Sequence, residues 1–161
     1  MNYPTGIENG DYMKNKLVLA GLAISIASTV VIAQTKPEDA IKLRQSAMKL
    51  IGYNFGSIGA MVNDKKPYNK DEAIRNANRI DALSNHPFEF FGPGTDKGAD
   101  HKALAAVWKD TDKFTSVAEK MQTEAAKLAQ VAKTGDVAAL KSQFGATAQA
   151  CKACHDDYKE K

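Results

Sequence analysis

The chain is short of the materials for several kinds of protein. Of its 161 residues only two are cysteine, so no web of disulfides can stand in for a hydrophobic core. Stretches of alternating Val, Ile and Thr are absent, which removes the pattern of half-buried strands. Proline is scarce, at five, and leaves long segments free to be helical. Charge of one sign never accumulates: 22 Lys and Arg face 19 Asp and Glu, a formal +3. A clustered basic face of the kind that binds nucleic acid is missing, and no nucleic-acid partner is expected. Long apolar runs are missing too, with one exception near the N-terminus.

That exception extends from Leu17 to Ala33 and is interrupted only by Gly21, Ser25, Ser28 and Thr29. Lys14 and Lys16 precede it, and it ends Val31-Ile32-Ala33. A basic flank, an apolar centre and a small final residue have the form of a secretory signal. The run also approaches the length of a membrane anchor, but the fit to a cleavage site favours removal. Residues 1–33 are therefore expected to be an N-terminal extension and cleaved signal, with Met1 or Met13 as the start. The mature chain would begin at Gln34, lie in the periplasm and keep no membrane attachment. Residues 34–161 suffice for one domain around one core.

Helical periods fill that domain. A first helix opens at Pro37, a residue favoured at the first helical position, with Glu38 and Asp39 in the first turn. Its stripe is Ile41, Arg44, Met48, Ile51, Phe55, Ile58 and Val62, and it should stop near Asn63. A second helix is predicted from an N-cap at Asp71, with Ile74, Ala77, Ile80 or Asp81, and Leu83 inward, ending before Pro87. The stretch from His86 to about Asp100 reads as a loop with a turn at Gly92-Pro93-Gly94. Its three phenylalanines, Phe88, Phe90 and Phe91, must pack on something. A third helix is predicted from about Lys102 to Lys133, its stripe running from Leu104 and Val107 through Phe114 and Met121 to Ala132, with Gly135 as its stop. A fourth follows the N-cap Asp136 and carries Val137, Leu140, Phe144, Thr147, Cys151, Cys154 and Tyr158 inward. The fold class implied is all-α, an antiparallel up-down-up-down four-helix bundle.

Both cysteines sit in Cys151-Lys152-Ala153-Cys154-His155. Two thiols three apart, followed at once by histidine, form the attachment signature of c-type haem. The thiols would become thioethers, and His155 would ligate the iron. A disulfide or a zinc site completed by His86 or His101 would use the same residues. A thioredoxin-like pair would need a βαβ unit that the pattern lacks. Export, helical character and the adjacent histidine favour haem. The cysteines fall on the inner seam, and His155 lies about 100° further round.

For the iron's other face the candidates are Met48, Met61, Met121, His86 and His101. Antiparallel pairing sets the early turns of the first helix beside the last turns of the fourth, which puts Met48 over that face ahead of Met121. Its sulfur either bonds the iron or fills the core. Arg44, one turn earlier on the same stripe, needs an anion there. A haem propionate is the expected partner; the alternative is a side chain snorkelling to solvent. Gln45 can add a second bond. Lys159 is on the face of His155 and either covers the imidazole or is solvated. Trp108 and Phe114 read as core.

With these residues in place, the sequence resembles the cytochrome c′ family, the high-spin class II c-type cytochromes. The resemblance rests on Lys36–Met48 (KPEDAIKLRQSAM), Phe91–Thr95 (FGPGT) and Cys151–Lys159 (CKACHDDYK), and spans essentially the mature chain. It implies one haem c held by Cys151 and Cys154, His155 as proximal ligand, Arg44 and Gln45 near the propionates and Met48 over the distal face. It further implies a five-coordinate iron that admits nitric oxide and carbon monoxide, electron exchange with redox partner proteins, and a homodimer through the first two helices. The outer faces of those helices show no unmistakable apolar patch in sequence. Low-spin relatives use a methionine as sixth ligand, so a plain electron-transfer cytochrome with Met48 bound to iron is the second reading. Lys159 stands where some members carry arginine. An enzyme, such as a peroxidase or nitric oxide reductase, ranks third, because no acid or base stands on the stripe near Met48.

Overall fold

Lys36 opens the first helix with its carbonyl, which accepts from the backbone N–H groups of Asp39 and Ala40. Pro37 has no N–H to leave unsatisfied there, and Glu38 and Asp39 face the positive end of the helix dipole. The computed structural model describes residues 35–161, so the signal, its cleavage point, the choice of start and the boundary at residue 33 lie outside the described residues. Six helical segments follow one another: α1 (Pro37–Val62), α2 (Lys70–Leu83), α3 (His86–Glu89), α4 (Ala106–Lys109), α5 (Thr111–Thr134) and α6 (Val137–Tyr158).

The four long helices form a closed ring of neighbours, α1 on α2, α2 on α5, α5 on α6 and α6 on α1. This is the expected four-helix bundle. Its main core joins Ile51, Ile58, Met61 and Val62 of α1, Ala73, Ala77 and Ile80 of α2, Met121, Ala125 and Leu128 of α5, and Leu140 and Ala150 of α6. Alanines on the inner faces of α2 and α5 let the backbones approach, while the large side chains interleave between them. Among the described residues no helix is long and apolar enough to cross a membrane.

The structure corrects several boundaries. The N-cap of α2 is Asn69, not Asp71: its extended backbone lets the side chain accept from Glu72 N–H at 2.9 Å. Asp71 lies in the first turn instead, where its charge suits the dipole. The expected loop after α2 contains one helical turn, α3, with Pro87 buried inside it. The long third helix begins at Thr111, not at Lys102. Residues 102–104 are committed elsewhere, because Leu104 N–H donates to Tyr158 O and Glu160 N–H to Lys102 O around an antiparallel bridge between Ala103 and Lys159. Asp110, at φ −125° and ψ 62°, then separates α4 from α5. Val137 is 39% exposed rather than inward, because it occupies the first position of α6, ahead of the packed turns. Gly135 does end α5 in the left-handed conformation, φ 79°, and Asp136 caps α6 by accepting from Ala139 N–H.

Candidate functional site

A second, smaller core gathers Val107, Phe114, Cys154 and Tyr158, with Phe88, Phe91 and Trp108 against it. Members of both cores line a cavity of about 870 Å³ that opens to solvent past Lys49, Lys102 and Lys159. All six site residues expected from sequence meet there: Arg44, Gln45 and Met48 from α1, and Cys151, Cys154 and His155 from α6. The antiparallel register places the early turns of one helix opposite the last turns of the other.

Cys154 is buried and Cys151 half-buried, each as a free thiol. Burial pushes both thiols up from the ordinary value, Cys154 to about 11, with Cys151 and Asp157 adding to the effect. As free groups they are therefore protonated and poorly nucleophilic at neutral pH. His155 stands on the solvent side of the cavity wall; burial of its ring flank and the neighbouring positive charge of Lys159 both lower its pKa. Its imidazole is thus biased toward the neutral form, the form that ligates metals. Lys159 lines the same cavity but is exposed, and its Nζ reaches only Glu160 O at 3.5 Å.

Arg44 is 2% exposed. Its Nη1 donates to Phe90 O at 3.0 Å and to Thr95 Oγ1 at 3.1 Å, and the guanidinium lies 4.4 Å from the Phe91 ring centroid. Snorkelling to solvent is therefore excluded. Its Nη2 is buried without a partner, and burial lowers its pKa. An unsatisfied cationic donor in a cavity wall calls for an anion. Gln45 Nε2 donates to Asp100 O at 2.9 Å.

Met48 is half-buried on the α1 wall, followed by Ile51, Gly52 and Phe55. Met121 reaches the same cavity from α5. Met61 does not: it is buried in the main core, its sulfur accepting from Asn69 N–H. His86 faces Glu89 on α3, 3.7 Å away. His101 lines the cavity, but both ring nitrogens are engaged, Nε2 with Asp96 O and Nδ1 with Ala103 N–H. Among the described residues no three His, Cys, Asp or Glu side chains converge on a metal position, so the zinc reading has no ligand set.

Two thiols, an imidazole beside them, apolar walls and an unpaired buried guanidinium N–H suit a flat apolar macrocycle carrying acidic arms. The match extends along the chain: a sequence model described as Cytochrome C' covers residues 39–159. This chain belongs to the cytochrome c′ family. It is 45% identical over 126 residues to the cytochrome c' of Rubrivivax gelatinosus, an alignment covering 78% of this chain and 98% of that one. The solved cytochrome c prime of Shewanella frigidimarina superimposes with a TM-score of 0.76 at 44% identity, covering 79% and 98% of the two chains. A variant of cytochrome c prime from Alcaligenes xylosoxidans, solved as its nitric oxide complex, superimposes with a TM-score of 0.73 at 38% identity, over 79% of this chain and 98% of that one.

As a cytochrome c′ the chain carries covalent haem c and serves in electron transfer or gas binding. Sequence reasoning missed the aromatic wall of this cytochrome's cavity. Phe91 and Phe114 meet edge to face at 5.1 Å between centroids, and Phe114 meets Tyr158 at the same distance. Three phenylalanines in an otherwise polar loop were the available signal; the ring partners of Phe88 and Phe91 are Trp108 of α4 and Phe114 of α5. His101 was weighed as a ligand, whereas its backbone bonds give it a structural part.

Proposed function

We propose that this cytochrome c′ is an exported, periplasmic protein that binds small neutral gases, nitric oxide and carbon monoxide, at a five-coordinate haem iron and also exchanges electrons with redox partner proteins. Haem c held there would supply a redox-active iron able to take up a diatomic ligand. Cys151 and Cys154 hold the ring by thioethers, and His155 ligates the iron from α6. Arg44 and Gln45, which both line the cavity, would bind the propionates, Arg44 having a donor, Nη2, that no protein group pairs. Residues 1–33 direct export and are removed.

The observation that carries the reading is the α1 wall. Beyond Gln45, its buried and half-buried positions are Met48, Ile51 and Phe55, none of which offers a proton, while the exposed Lys49 and Gly52 stand at the rim. Such a wall suits an uncharged diatomic molecule and disfavours ions, whose desolvation nothing there offsets. It also supports a non-enzymatic role. General acid–base catalysis needs a group free to move a proton; the buried part of the α1 wall has none, and His101 is tied to backbone on both nitrogens. Met48 lines the cavity on the α1 side and would leave the iron free to take a ligand. Homodimerisation is supported by Leu43, Leu50 and Tyr53, exposed by 46%, 52% and 76% on one face of α1.

Optical spectra of the oxidised and reduced protein, with and without carbon monoxide, test the proposal. A high-spin spectrum that carbon monoxide shifts after reduction is expected. A six-coordinate low-spin spectrum indifferent to carbon monoxide would favour Met48 as sixth ligand and an electron-transfer role alone.

A further inference from the structure

Three glycines interrupt the C-terminal half of α1, at positions 52, 56 and 59. Glycine weakens a helix interior relative to alanine, so each invites a reason. Gly59 has a steric one. A Cβ there would lie 2.8 Å from Cζ of Phe144, whose ring stacks on Phe55 at 4.2 Å between centroids. Gly52 has none from the protein itself: a Cβ built on it meets no protein atom within 4 Å. Gly56 is equally open, but it is not part of the cavity wall. Gly52 is, and among the described residues it is the one glycine that lines the cavity. It is also solvent-exposed.

A residue that borders both the cavity and the solvent, and has no side chain, is a gap. Its place follows from helical geometry. Gly52 is one turn beyond Met48 and three residues before Phe55, so all three share the cavity-facing side of α1. Elsewhere the exposed lining carries larger side chains, Lys49, Lys102, Lys159 and Glu160 with Asp100 and His155. We propose that Gly52 forms the entry port for neutral diatomic ligands and sets the rate at which they reach the Met48 side of the cavity. The proposal rests on the gas-binding reading above and divides the work within α1. Met48 governs how firmly a ligand is held, while Gly52 governs how fast it arrives and leaves.

Substitution by Ala or Leu tests this port. Both residues favour helix, and in a helix a leucine side chain points back toward the preceding turn, here over Met48. Carbon monoxide association with the reduced holoprotein is measured by flash photolysis, and dissociation by displacement with nitric oxide. Gly52→Leu is expected to slow association by about tenfold, the low end of the range over which association rates respond to changes at a binding surface. Gly52→Ala should slow it less. A barrier at a port is crossed in both directions, so dissociation should slow by the same factor and leave affinity unchanged. Both variants should retain the wild-type helical circular dichroism, and Gly52→Ala should melt at a higher temperature; these readouts do not depend on gas binding. Unchanged association in folded Gly52→Leu would overturn the port. So would a change in affinity carried by dissociation alone. If the wild type binds no carbon monoxide, the same pair of substitutions is made in Met48→Ala, where the iron is open. The port is then judged on those rates, separately from the gas-binding reading, which would already have failed.

Discussion

Arg44 shows what one side chain contributes. It sits on an apolar stripe, 2% exposed, between Phe91 and the loop carbonyl of Phe90. Replacing it with methionine keeps an unbranched stem against the ring but removes the donors to Phe90 O and Thr95 Oγ1. Hydrogen bonds to charged groups contribute about 1.5–3 kcal/mol each, so losing both in Arg44→Met should destabilise the holoprotein by about 3–6 kcal/mol, read as a lower urea midpoint. An unaltered midpoint would mean that the loop holds itself. Sequence made Arg44 visible as a charge where none belongs, and the need for an anion followed from its chemistry. Its partners Phe90 and Thr95 were not legible, being 46 and 51 residues away in an irregular loop. Asn69 was missed as a cap for a local reason. Asp71 also has a capping side chain, and only the backbone angles decide which of the two stands outside the helix.

At the scale of helices, polar ties join neighbours that the core has already brought together. Glu72 on α2 accepts from Lys66 and from Ser57 on α1, and these bonds lower its pKa, that of Lys66 first. Glu124 on α5 is lowered by Lys127 and then by Gln143 of α6. Lys113 on α5 is raised by Asp157 of α6. A carboxylate lowered on folding stabilises fully above its ordinary value of 4.5, and the contribution is lost as pH falls through the lower folded value. Lys113 acts in the opposite sense: its contribution is full below 10.5 and lost as pH rises through the raised folded value. Melting of the holoprotein should therefore drop on acidification below pH 4.5, and Glu72→Gln with Glu124→Gln should flatten that drop. An equal slope in the double variant would assign the acid loss to other groups. The four long helices were legible, because heptad spacing persists over many turns, whereas the single turns α3 and α4 were not. The start of α5 was not. Leu104 and Val107 continue its apolar spacing, yet the backbone of residues 102–104 pairs with the chain end beyond α6, a contact no local pattern encodes.

For the molecule as a whole, the ring of four helices leaves two surfaces that the main core does not use. One is the cavity, where the first turns of α1 face the last turns of α6. The other is the outer side of α1, where Leu43, Leu50 and Tyr53 recur on one helical face. Sedimentation equilibrium should find a dimer that Leu50→Glu with Tyr53→Glu converts to monomer; a monomeric wild type would leave that face without a partner. In the proposed function Met48 stands beside an open iron position in the cavity and does not occupy it. The oxidised optical spectrum of Met48→Ala beside that of the wild type tests it most directly. Two superimposable high-spin spectra are predicted. A wild-type low-spin spectrum that turns high-spin in Met48→Ala would contradict the account and make Met48 the sixth ligand.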